Sequence, residues 1–403
     1  MTHRARPTEP LPTVRFGCHP IFGPIESAVV PRSPYQAWLA VILVFAGTAA
    51  AAVADPNGIR MNATPWPEAE TLFHQDPRWL GADGAYSVDL GRGRVLWLFA
   101  DTFVAKTPAD VRRESTLVRN TVAIEQGYDP SRATMKFYWR TNGGKPGSFF
   151  PEQKDVWYWP GDSVRVGPVL LVFLIRVHGT STPGAFGFEE IGWDAEIVTN
   201  PDDEPSRWNI ERPDCPQNDL DVVIGSGGVL RQGDCVYAFG SREPAIHDIY
   251  LVRWPVSAIL RGDLRSLQWW DGKKSSWTEQ RDLPPEPRPV FTKGATEFTV
   301  RYDPRLRAFL EIESQGFGDA EIAMRSAGAV TGPWSPPRDI YRPPEADLPG
   351  VFNYAAKGHP ELKGEGADLV LTYATNTGDF ARLVRDTRLY YPRVLKLRYA
   401  GSP

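Results

Sequence analysis

Three acids stand at comparable places in separate apolar runs. Asp83 opens Asp83-Gly84-Ala85-Tyr86-Ser87-Val88, Asp162 lies in Trp159-Pro160-Gly161-Asp162-Ser163-Val164, and Glu297 lies in Thr296-Glu297-Phe298-Thr299-Val300. A fourth, Asp101, ends the run Val95-Leu96-Trp97-Leu98-Phe99-Ala100. Carboxyls brought together in pairs suit cleavage of a glycosidic bond, in which one gives a proton to the leaving oxygen and the other attacks or activates water. One of the two must keep its proton near neutral pH, and burial or a neighbouring acid achieves that. Asp83 is the first choice, as nucleophile or base. Glu297, as general acid, or Asp162 is its partner.

Residues of types that bind hydroxyl-rich ligands accompany these acids. Trp157-Tyr158-Trp159 precedes Asp162, and aromatic rings pack against the C–H faces of sugars. Asp101, Asn120, Trp159, Arg242, Tyr354 and His359 are therefore candidate substrate-binding residues. Each also has an ordinary structural use. An Asp at a strand start commonly bonds its own backbone, Asp101-Thr102 suits a bridge between sheets, Arg242-Glu243 suits a surface ion pair of small value, and His359 suits a solvated turn. Other chemistries find little support: the chain has no Gly-x-Ser-x-Gly elbow, no His-Glu-x-x-His and no phosphate loop. No metal ligands are assigned and no cofactor is required. An axial calcium is compatible with the pattern, though no segment has the spacing of a dedicated calcium loop.

The elements that must position these residues are short strands. A strand, a turn bearing Gly or Asp-Pro, and a strongly apolar strand recur five times, with openings near Asp83, Trp159, Leu220, Ala295 and Phe352. Repetition of a several-stranded unit predicts a propeller, an all-β fold of five blades, in which the first strands surround one axis. Gly225-Ser226-Gly227-Gly228 reads as an inner strand whose missing side chains let backbones approach closely. Gly (36) and Pro (38) leave little room for long helices; Val256–Leu260 is expected to form one short helical turn.

Ahead of this body, residues 38–54 form an uncharged apolar run that follows four arginines and ends in Ala52-Val53-Ala54. The layout predicts an export leader over residues 1–54, cleaved or kept as an anchor, with the propeller over 55–403. A secreted or cell-envelope location follows, with membrane contact only through residues 38–54 if they are retained. The 403-residue chain carries a formal charge of −4 and no basic block, which argues against nucleic acid as a partner. Cys215 and Cys235 remain beyond the leader, suited either to one disulfide or to two small buried thiols.

The pairing of Asp83-Gly84-Ala85-Tyr86-Ser87-Val88 with Leu96-Trp97-Leu98-Phe99-Ala100-Asp101-Thr102-Phe103, followed by Arg119-Asn120-Thr121-Val122-Ala123, resembles a family of secreted five-bladed propellers long catalogued as domains of unknown function. The usual forms there are close to Asp-Gly-x-x-Ser, Trp-Leu-Phe-Gly-Asp-Thr and Asn-Ser. This chain departs at Ala100, where Gly is usual, and at Thr121, where Ser is usual. Some members are retaining endo-D-arabinanases of mycobacterial cell-wall arabinan, and the architecture is similar to that of five-bladed arabinanases, xylosidases, fructosidases and mannoside phosphorylases. The resemblance implies an exported glycoside hydrolase acting on a polysaccharide or oligosaccharide, arabinan among them. A non-catalytic carbohydrate-binding or cell-surface propeller is the other expectation.

Overall fold

The computed structural model describes residues 60–182, 187–244, 247–316 and 321–400. Their architecture is all-β, and their helices are a few turns at most, including the expected one at Val256–Ile259. Five larger antiparallel sheets follow one another along the chain. The first holds Tyr86–Gly91, Arg94–Phe99, Thr121–Gln126 and Thr134–Tyr138. The second opens with Val156–Val166, the third with Val222–Gln232, the fourth with Phe298–Asp303 and the fifth with Val351–His359. These opening strands touch in sequence order, and the last returns to the first. The result is a ring of inner strands round an axis, the propeller that the repeats predict.

The ring closes through both ends of the described chain. Met61–Pro65 pairs with Arg393–Tyr399 at the outer edge of the fifth sheet, opposite that sheet's inner strand. No turn signal announces this pairing, which joins segments more than three hundred residues apart. A blade edge that would otherwise present unpaired backbone is thereby covered.

Apolar side chains seal each interface between neighbouring sheets. Phe173, Trp193, Val223 and Trp254 pack between the second and third, and Phe298, Val300, Phe239 and Leu251 between the third and fourth. Tryptophans 66, 79 and 97 with Phe73 and Val370 close the last interface, between the fifth sheet and the first. Each such side chain stabilises by about 1.5–3 kcal/mol when fully buried.

Near the axis the inner strands approach too closely for ordinary side chains. A Cβ at Gly161 would meet the Gly225 carbonyl oxygen at 2.2 Å, and one at Gly228 would meet the Val300 nitrogen at 2.2 Å. Ladder pairing is interrupted between Pro160 and Ser163, between Ile224 and Val229, and between Tyr354 and Lys357. Bulges of this kind re-aim side chains out of the sheet pattern.

Residues 1–59, which include the expected leader, lie outside the described ones. Among the described residues no helix is long and apolar enough to cross a membrane. Cys215 and Cys235 are free thiols, so the disulfide alternative is not the one adopted.

Candidate active site

Asp83 and Asp101 occupy matching kinks. The chain runs from strand Trp79–Ala82 through Asp83 into Tyr86–Gly91, and from Arg94–Phe99 through Asp101 into Thr102–Val104. Trp79–Ala82 and Thr102–Val104 pair with each other in a small sheet beyond the first large one. The two kinks therefore lie side by side, and the Ala100 amide donates to the Asp83 carbonyl at 3.1 Å. Gly84, at φ +81°, permits this approach, since a Cβ there would stand 3.0 Å from the Ala100 nitrogen. The bend frees both carboxyls from the alternation of the strands and turns them into a common cavity.

That cavity has a volume of about 730 Å³. Asp83, Asp101, Glu190 and Glu297 line it together with Trp157, Trp159, Phe188, Phe352 and Tyr354. An apolar wall with a few converging polar groups is the usual form of a small-molecule site.

The acids differ in how their charge is compensated. The Asp83 carboxyl accepts a short hydrogen bond from the Tyr354 hydroxyl, which is itself bonded by the Asn376 amide at 3.1 Å. The Tyr390 hydroxyl approaches the same carboxyl short of a well-formed bond, and Oδ1 is buried without a partner. Among the described residues no cation forms an ion pair with Asp83. Burial first, then the charge of Asp101 and more weakly that of Glu297, push its pKa up to about 8, against the opposing effect of the tyrosine. Asp83 therefore carries its proton at neutral pH.

Asp101 is held by donors. Arg119 Nη1 lies 3.2 Å from Oδ2, and Trp159 Nε1 donates to Oδ1 at 2.9 Å. Burial leaves its pKa raised above the ordinary carboxyl range, although Arg119 and Trp159 offset part of that rise. The Arg119 guanidinium also stacks 4.2 Å above the Trp157 ring, so the ion pair and the aromatic wall are one construction. Glu297 is matched by Lys357, whose Nζ lies 2.7 Å away.

Glu190 was not expected in the site. Its strand, Phe188–Val198, carries an irregularity opposite Arg176/Val177, with Gly192 at φ +131°. Burial, then the charge of Glu243 and that of Glu297, push the Glu190 carboxyl up to about 7. His247, also on the cavity wall, shares Nδ1 with Glu243 at 3.1 Å, and that bond raises its pKa. The sequence signal for Glu190 is weak: the pair Glu189-Glu190 before Gly192 reads as an exposed strand end. Arg119 stood inside the quoted motif Arg119-Asn120-Thr121 without a role of its own.

Five of the nine residues expected in the site therefore line the cavity: Asp83, Asp101, Trp159, Glu297 and Tyr354. The other four do not. Asp162 is fully buried, and its oxygens accept from the Ser163 and Val229 amides at 2.7 Å each and from Arg301 at 2.8 and 3.0 Å. It ties inner strands together. Asn120 is buried and bonds the Phe150 and Tyr158 carbonyls and the Phe150 amide, fixing the connection into the second sheet. Arg242 bonds the Asp248 carbonyl through its backbone amide and lies off the cavity wall. His359 is fully buried between Ser87 Oγ at 2.5 Å and Thr372 Oγ1 at 2.7 Å, and burial with the charges of Lys357 and Arg301 holds its pKa well below the ordinary range. Among the described residues no group of three or more His, Cys, Asp or Glu is arranged to hold a metal ion.

A family model described as "Domain of unknown function (DUF5005)" matches residues 68–398. No curated protein matches the chain. Among solved structures, one from Bacteroides ovatus ATCC 8483 named as a "putative hydrolase" superposes with a TM-score of 0.63 at 16% identity, over 84% of this chain and 90% of that one. The catalytic domain of the Coprinopsis cinerea GH62 α-L-arabinofuranosidase gives 0.47 at 11% identity, over 85% and 98%. The endo-arabinase of Bacteroides thetaiotaomicron VPI-5482 gives 0.42 at 11%, over 78% and 94%. At such identities a likeness is one of fold.

Proposed function

The chain belongs to the DUF5005 family, whose description assigns no chemistry, and from the site itself we propose that it is a glycoside hydrolase. The observation that carries this reading is the pair of adjoining carboxyls with opposite compensation. Asp83 lies beside tyrosines with no cation, and Asp101 is gripped by Arg119 and Trp159 on the wall of an aromatic cavity. An acid whose charge is penalised, next to one whose charge is met by a cation, is the arrangement that glycosidic cleavage needs.

The roles differ from those expected for the same residues. Asp83, expected as nucleophile or base, is the proton donor to the leaving oxygen, because its environment penalises the charge. Asp101 supplies the anion that meets the developing positive charge at the sugar or activates water. Glu297, expected as the acid, is the ionised member of a pair with Lys357, and its negative charge helps keep the proton on Asp83. Trp157, Trp159 and Phe188 give the flat apolar wall on which a sugar ring packs. The substrate is a polysaccharide or oligosaccharide, with arabinan the first to try, and the enzyme is exported by the leader over residues 1–54.

The test is product release from a panel of arabinans, arabinogalactans and other cell-wall polysaccharides by the full chain, beside Asp83→Asn and Asp101→Asn. Release by the unaltered chain alone is expected. No release from any glycan by well-folded protein, with glycan binding retained, would leave a carbohydrate-binding propeller instead.

A further inference from the structure

Arg112 is 3% exposed, and its guanidinium bonds four main-chain carbonyls in distant parts of the chain. Nε donates to Leu80 at 2.7 Å, Nη1 to Leu383 at 2.9 Å and Asp386 at 3.2 Å, and Nη2 to Leu389 at 2.6 Å. Leu383 and Asp386 belong to the end of the short helix Phe380–Arg385, where carbonyls lack helical partners and a cation is favoured. The guanidinium also lies 5.5 Å from the centre of the Phe103 ring and 5.3 Å from that of Tyr391. Asp386, the nearest carboxylate in sequence to these carbonyls, is engaged with Arg388.

What this cation joins is directly upstream of Asp83. Leu80 sits in the strand that runs into the Asp83 kink, and Leu383, Asp386 and Leu389 lie in the 380–391 segment, which brings Phe380, Leu383 and Tyr390 to the cavity wall. The fit is close: a Cβ at Gly81 would lie 2.3 Å from the Tyr390 carbonyl oxygen and 2.8 Å from Arg112 Nη2. Tyr390 is held at φ +67°, a conformation a bulky residue keeps only where its surroundings impose it. Phe103, Val351, Leu383, Leu389 and Tyr390 form a separate apolar cluster round this contact.

We propose that Arg112 is a positioning residue for Asp83: it pins the 380–391 segment to the strand entering Asp83, and so holds Tyr390 and a dry wall against that carboxyl. The proposal rests on the reading of Asp83 as the acid of the site, but its mechanism is local. The groups that face Asp83 are Asp101 from the neighbouring kink, Tyr354 from the fifth inner strand, Glu297 from the start of the fourth, and Tyr390 from the pinned segment. Of these, Tyr390 is the one in the segment whose carbonyls Arg112 bonds. Freeing the segment lets water reach the carboxyl, and water favours the charged form. A lysine keeps the charge but presents one compact ammonium in place of a planar fork, and cannot span all four carbonyls.

The test is the carboxyl titration of Asp83 in the full chain, labelled with [13C]aspartate and read by NMR, the resonance assigned by its loss in Asp83→Asn. In Arg112→Lys the Asp83 midpoint is expected to fall by about two pH units. In Tyr390→Phe, where the wall stays in place and only a hydroxyl that favours the anion is lost, the midpoint is expected to rise. An unchanged midpoint in Arg112→Lys with lowered thermal stability would overturn the proposal and leave Arg112 a purely structural clamp. Should Arg112→Lys not fold, a midpoint in Tyr390→Phe that stays put or falls would overturn it equally. The titration needs no substrate, so a chain that cleaves no glycan still decides the role of Arg112, and the two readings fail separately.

Discussion

Asp83 and Asp162 both stand where inner strands of the ring bend, and both begin in the sequence as acids beside glycine; Asp162 is fully buried, whereas Asp83 is half-buried on the cavity wall. Asp162 is surrounded by two backbone amides and a forked arginine, so each of its oxygens is answered. Asp83 meets a tyrosine, leaves one oxygen unanswered, and faces another acid. The first arrangement holds strands together and the second stores a proton in a cavity. The difference lies in the neighbours supplied and in the opening onto the cavity, not in the residue type.

The largest expected effect separates the two aspartates by rate. Asp83→Asn and Asp101→Asn should each lower turnover on a cleaved polysaccharide by about three orders of magnitude or more while unfolding stays cooperative. Asp162→Asn, in whatever folded protein it yields, should keep turnover within about tenfold. Reducing-end release under saturating substrate measures this. A reversed ranking would break the comparison and restore Asp162 as a site residue.

The next effect separates them by stability. Asp162→Ala leaves Arg301, largely buried, without its carboxylate, and loss of one partner of a buried pair costs about 3–5 kcal/mol. Denaturant unfolding should show that loss, whereas Asp83→Ala, whose carboxyl meets the Tyr354 hydroxyl rather than a cation, should show a smaller one. Equal costs would mean that the two carboxyls are held alike.

The pH dependence of stability sharpens the same contrast. Because the Asp83 pKa is raised to about 8, the folded chain keeps a proton that the unfolded chain has already released. Folded protein then binds more protons between the ordinary carboxyl range and pH 8, so this group makes stability fall as pH rises through that window and level off above it, with a slope of at most about 1.4 kcal/mol per pH unit. Asp83→Asn removes that slope, and its stability relative to the unaltered chain should rise from pH 5 to pH 8. Glu125 and Glu190, also raised by burial, contribute with the same sign in both proteins and cancel in the difference. Activity should show the matching limb, declining above about pH 8 as Asp83 loses its proton. A difference that stays flat with pH would show that Asp83 is not protonated at neutrality.

The repeats made the sheets legible because each inner strand is followed by an apolar strand bounded by turn residues, a pattern local in sequence. The closure by Met61–Pro65 was not legible, because a five-residue edge strand has no signature apart from its partner. On the cavity wall, Asp83 and Asp101 are legible because they flank recognisable strand ends, and Tyr354 because it stands in the opening of the fifth apolar repeat. Asp162 reads as equivalent, and the approach of Arg301 and of the Val229 amide, 139 and 67 residues away, sets it apart. Glu190 and Tyr390 were missed for the converse reason. Their exposure to the cavity depends on an irregular strand and on a left-handed backbone, which depend in turn on contacts with distant residues. Residue type thus announces what chemistry is available, and long-range compensation decides where it is used.

The smallest expected effect concerns the rim. Phe380 is 54% exposed yet lines the cavity, packing on Phe103 with ring centres 6.1 Å apart. An aromatic left in water at a cavity mouth suits contact with a ligand that arrives from solvent. Phe380→Ala removes area that touches substrate and transition state alike, so KM should rise by about three- to tenfold with kcat nearly unchanged. The Asp83 titration should stay where it is, because the charges and hydroxyls that shift it belong to other residues. If kcat falls as much as KM rises, the rim is coupled to the acid through the pinned segment, and the boundary between the positioning wall and the binding surface moves outward to include Phe380.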